Sequence, residues 1–75
     1  MNTHIGEVTN KKNARIVQHT WKGYGSTLFE LQYWHEKDQK YYTVQTAPTE
    51  MDIREFAGLY FYHVIEPIVK SHHTN

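Results

Sequence analysis

Cysteine is absent from the 75 residues, so no disulfide can staple the chain and no thiolate can hold a metal. That absence leans toward an intracellular, cytoplasmic location. Net charge is absent as well, because eight lysines and arginines balance eight acidic residues. A neutral chain has little bulk attraction for a phosphate backbone, which disfavours a protein held on nucleic acid by charge alone. No run of about 18 apolar residues occurs, so no segment is expected to span a bilayer. No basic stretch followed by an apolar one opens the chain, so a secretory signal is not expected. Repeats and low-complexity tracts are missing, and the four glycines match no phosphate-binding loop. What remains is one domain with a thin core, a size at which many domains add a metal or a second subunit.

Aromatic residues, by contrast, are plentiful at 15%, with six tyrosines. Tyrosine joins apolar area to a polar tip and collects at half-buried surfaces and interfaces. The distribution along the chain divides it into three parts. Residues 1–13 are polar, with Ile5 and Val8 isolated, and read as a flexible N-terminal arm. Residues 14–70 read as a single domain and residues 71–75 as a disordered tail.

Within the domain, Ala14 to Lys22 is rich in β-formers and stops at Gly23-Tyr24-Gly25, a hairpin signal. Ser26 to His35 is the clearest strand, Glu36 to Lys40 a turn, and Tyr41 to Thr46 a third strand. Centring the second turn on Lys37-Asp38 pairs Tyr33 with Tyr42, Leu31 with Val44 and Phe29 with Thr46 on a dry face. The wet face then pairs Trp34 with Tyr41, Gln32 with Thr43 and Glu30 with Gln45. A three-residue first loop, Gly23 to Gly25, places Val17, His19 and Trp21 on the dry face.

Ala47-Pro48 ends the third strand, and Thr49 before Glu50-Met51-Asp52 reads as an N-cap with acidic residues at the positive helix end. The spacing predicts a helix from Glu50 to about Glu66, ending or kinking at Pro67. The expected fold class is therefore α+β, a three-stranded antiparallel β-meander with one C-terminal helix packed across one face, in the order β-β-β-α. That order is similar to that of the small DNA-binding domains of the integrase arm-binding type. The likeness is of topology alone, since their arginine-rich reading strands have no counterpart here.

On a helical projection, Ile53, Phe56, Ala57, Tyr60, Phe61, Val64 and Ile68 share one arc. They are the expected core, facing Val17, Phe29, Leu31, Tyr33 and Val44. A second stripe, Met51, Gly58, Tyr62, Ile65 and Val69, falls on the far side. Such a stripe suits the N-terminal arm, a dimer or a partner, and Gly58 would let another backbone approach. The wet sheet face offers a second surface, with Ile16, Leu28, Gln32, Trp34 and Tyr41 as candidate partner-binding residues. An alternative is nucleic-acid binding, with bases stacked on Trp34 and Tyr41 and with Lys11, Lys12, Arg15, Lys22 and Lys40 contacting phosphate.

Catalytic and metal chemistry are not expected. No Ser-His-Asp constellation can be drawn, and no cofactor is implied. His63 and Glu66 stand at i, i+3 with His72-His73 beyond, which falls short of three or four ligands on rigid elements. The residues point to a small non-enzymatic binding module, a regulator or inhibitor that occupies a partner protein's surface, expected to be homodimeric and cytoplasmic. A phage or mobile-element origin fits that class.

Overall fold

The computed structural model describes residues 12–23 and 25–74. The elements run β1 (Lys12–Trp21), β2 (Thr27–His35), β3 (Lys40–Ala47), α1 (Glu50–Leu59) and β4 (Tyr62–His73). The sheet order is β3-β2-β1-β4, with β1–β2 and β2–β3 antiparallel and β1–β4 parallel. The α+β class holds, but the sheet is four-stranded and mixed rather than a three-stranded meander. The α1 crossover carries the chain from one edge of the sheet to the other.

The helix begins as the sequence requires. Thr49 is extended, and its hydroxyl accepts the Asp52 backbone N–H at 3.2 Å, with Glu50 and Asp52 in the first turn. It ends seven residues before the expected Glu66. The Tyr60 N–H closes on the Phe56 carbonyl at 3.1 Å, and Phe61 turns the chain with φ 62. Beyond it, Tyr62, Val64, Ile65, Ile68 and Val69 supply the aromatic and β-branched residues that suit a strand. The tail expected from Ser71 is, as far as His73, the end of β4.

Strand β4 keeps its alternation across an irregularity. Ile65 lies opposite Arg15 and Val69 opposite Val17, so Glu66, Pro67 and Ile68 together face Ile16. Two added residues leave the side-chain parity unchanged. Tyr62, Val64 and Ile68 therefore face the helix, and His63, Ile65, Val69, Ser71 and His73 face the other way.

The core consists of Ala14, Ile16, Leu31, Ile53 and Ala57, flanked by Phe29, Val44, Ala47, Phe56, Tyr62, Val64 and Ile68. Ile53, Phe56 and Ala57 reach it from α1 as expected, whereas Val64 and Ile68 reach it from β4. Tyr60 and Phe61 do not; they are 54% and 70% exposed.

Strand β1 is turned over relative to expectation. Its pairing with β2 runs Ala14 to Tyr33, Ile16 to Leu31 and Gln18 to Phe29, one residue away from the register that a loop centred on Tyr24 would give. A one-residue slip exchanges the two faces of a strand. Ile16 is consequently fully buried under the helix, and Val17, His19 and Trp21 lie on the face turned away from α1. In the second hairpin, Tyr33–Tyr42, Trp34–Tyr41 and Gln32–Thr43 pair as the sequence indicates. Past them Val44 is an extra residue, so Leu31 meets Gln45, Glu30 meets Thr46 and Phe29 meets Ala47.

Candidate functional site

Among the described residues, α1 packs on one face of the sheet and no element packs on the other, the open face. Two aromatic clusters stand on that open face, near opposite ends, with a mixed apolar and polar strip between them.

The first cluster crosses three strands. Trp34 on β2 and Tyr41 on β3 meet edge to face, with centroids 5.0 Å apart at 65°. Arg15 on β1 lies across Gln32, donating from Nε to its Oε1 at 2.6 Å, and sets its guanidinium 3.7 Å above the Tyr41 ring. The Trp34 indole N–H donates to the Glu36 carboxylate at 3.1 Å. These contacts hold the aromatic and cationic groups to one another in a single arrangement.

The second cluster joins β1, β2 and β4. The Nε2 of His19 is 2.6 Å from Oε1 of Glu30, and its Nδ1 is 2.9 Å from Nε2 of His73. Thr43 donates to the other oxygen of Glu30. Burial acts to raise the Glu30 pKa, but the hydrogen bonds of Thr43, His19 and Gln32 and the His19 charge outweigh it and hold the carboxyl below its usual range. The Trp21 ring lies 4.9 Å from that of His73 at 16°, a close stack. Ser71 Oγ is 3.3 Å from the same His73 nitrogen that His19 engages. That nitrogen is therefore shared between His19 and Ser71, and the cluster forms a hydrogen-bonded chain across β2, β1 and β4.

Between the clusters Val17 is 5% exposed, while Ile65 and Val69 on β4 remain 43% and 39% exposed. Of the expected sheet-face set, Gln32, Trp34 and Tyr41 are brought together, Leu28 is half-buried on the same face opposite His19, and Ile16 belongs to the core. The expected outer stripe does not exist as a stripe. Met51 and Gly58 are on α1, Tyr62 faces the helix between Tyr33 and Phe56, and Ile65 and Val69 border the open sheet face.

The cations are dispersed as well. Lys11 lies outside the described residues. Lys12 stands 5.1 Å over the Tyr62 ring, Lys40 5.2 Å over that of Tyr42, and Lys22 follows β1 in the turn, so of these only Arg15 stands on the open face. Glu66 points toward the helix and binds Arg54 at 2.8 Å, away from His63. Among the described residues no three His, Cys, Asp or Glu side chains are grouped to hold a metal ion. A depression of about 360 Å³ beside Glu50, Met51 and Arg54 lies along the exposed flank of α1. There Glu50 and Arg54 are already paired to each other at 2.6 Å.

The sequence reading missed Arg15, His19, Trp21 and His73 as open-face residues. Glu30 held the available signal: a carboxylate on a sheet face calls for a basic or donor neighbour, and turning β1 over supplies His19. Among the described residues no helix is long and apolar enough to cross a membrane. No family model, curated protein or solved structure matches the chain.

Proposed function

We propose that this chain is a small cytoplasmic binding module, without catalytic activity, that regulates or inhibits a partner protein by covering part of it with the open sheet face. The observation that carries this reading is the preset group of Trp34, Tyr41 and Arg15. Trp, Tyr and Arg are the residue types that dominate binding hot spots, and the half-exposed Ile65 and Val69 extend the surface with apolar area. The opposite face of the sheet is already covered by α1. A second copy of the chain is one protein such a face admits, and sedimentation of the free protein at micromolar concentration reads that directly.

The reading is tested by capture from host lysate followed by calorimetry with the captured protein. Trp34→Ala is expected to weaken binding at least tenfold, on the order of 2 kcal/mol. Met51→Glu, on the helix flank, is expected to leave it unchanged. Loss of binding in Met51→Glu with Trp34→Ala intact would move the interface to the helix and contradict the proposal.

A second reading has a specific observation behind it: Arg15 and two aromatic clusters on one sheet face are also the components of a platform for unpaired bases. Glu30 in the middle of the face and the balanced charge weigh against it. Phosphate contacts weaken steeply with salt. Absence of single-stranded oligonucleotide binding at about 50 mM salt removes this reading, and salt-sensitive binding lost in Arg15→Ala would establish it.

A further inference from the structure

We propose that the Glu30–His19–His73 chain is a proton-operated clasp, which fastens the C-terminal end of β4 to the sheet and releases it when both imidazoles become cations. The geometry sets the proton count. The two ring nitrogens are 2.9 Å apart while the centroids are 5.1 Å apart. A ring nitrogen lies about 1.1 Å from its centroid, so the rings meet almost head-on and share one proton between two lone pairs that point at each other. With Nε2–H of His19 given to Glu30, Nδ1 of His19 accepts, and Nε2–H of His73 donates. The same head-on alignment gives the lone pairs no common point beside the rings, which disfavours a metal there.

A first added proton enters on Nδ1 of His73 and leaves the chain whole; the stacked Trp21 ring accommodates the resulting cation. A second proton has only Nδ1 of His19 to occupy, and that nitrogen is the acceptor of the shared bond. Two cations then face each other across 2.9 Å. The groups around them are His19 and Trp21 from β1, Glu30 from β2, Thr43 from β3 reaching only Glu30, and Ser71 from β4. Among the described residues one carboxylate stands there, at the far side of His19, and it cannot offset both charges.

The strand end is built to move without the rest. The β4 side chains in the core are Tyr62, Val64 and Ile68, all before Val69. From Val69 to His73 the strand is held through β1, by its backbone ladder, the Lys22 N–H to the His73 carbonyl at 3.0 Å, and the clasp.

Amide hydrogen exchange on the intact chain tests this, read as protection factors at about pH 8 and about pH 5, which bracket imidazole titration. Residues 69–73 are expected to lose protection at least about tenfold at the lower pH, while Ile53 and Ala57 keep theirs. In His73→Gln, which cannot become a cation, that pH dependence is expected to vanish. Equal loss in helix and strand, no loss in either, or the same loss in His73→Gln would each overturn the proposal. The wild type alone supplies a second check. Nitrogen NMR at about pH 8 must find His19 protonated on Nε2 and bare on Nδ1, and the opposite tautomer would overturn it.

Discussion

The Glu30 carboxylate, 12% exposed between His19 and Thr43, is a probe of how firmly the open face is organised. Its pKa is held low in the folded chain by hydrogen bonds that outweigh burial. An unfolded chain binds that proton more readily. The stabilisation is therefore complete above the unfolded value and disappears as pH falls through the folded one. Urea midpoints of the wild type are expected to drop as pH falls below the unfolded carboxyl value of 4.5. Glu30→Gln should be less stable at neutral pH by about 1 kcal/mol and show a shallower decline over the same interval. Identical slopes for the two proteins would mean that Glu30 is not held as described.

At the scale of elements, the stretch Gly58 to Pro67 decides the fold. Leu59 ends the helix, and Phe61 makes the turn into β4 with a positive φ of 62, a conformation that costs a bulky side chain roughly 1–3 kcal/mol. Its ring is 70% exposed and recovers little by burial. Phe61→Gly is expected to raise stability by about 1 kcal/mol, read as a higher urea midpoint with an unchanged slope. A lower midpoint would contradict the turn. Val64 and Ile68 show why the sequence left this element ambiguous. Four residues apart, they satisfy both a helical stripe and a strand of period two, and only Pro67 and the β-branched pairs around it favour the strand. The N-cap at Thr49 and the cross-strand pairs next to the second turn were legible because each follows from local chemistry. Strand β1 was harder. Its neighbours Ile16 and Val17 are both apolar, so pattern alone does not say which faces inward, and the loop offset by one residue decides it.

At the scale of the molecule, the described residues form two layers, with α1 lying on one face of a four-stranded mixed sheet. Sequence arithmetic placed the spare apolar surface on the helix. The structure moves Ile65 and Val69 to the margin of the sheet face turned away from α1 and brings Arg15, His19, Trp21 and His73 onto it. Both the proposed partner surface and the clasp depend on that redistribution. The most direct measurement is an NMR titration with the captured partner, following the two indole N–H signals and the amides of α1. The account predicts that the Trp34 indole shifts or broadens at saturation while the α1 amides of Met51 to Glu55 stay in place. Shifts confined to those helix amides, with both indoles unmoved, would contradict it.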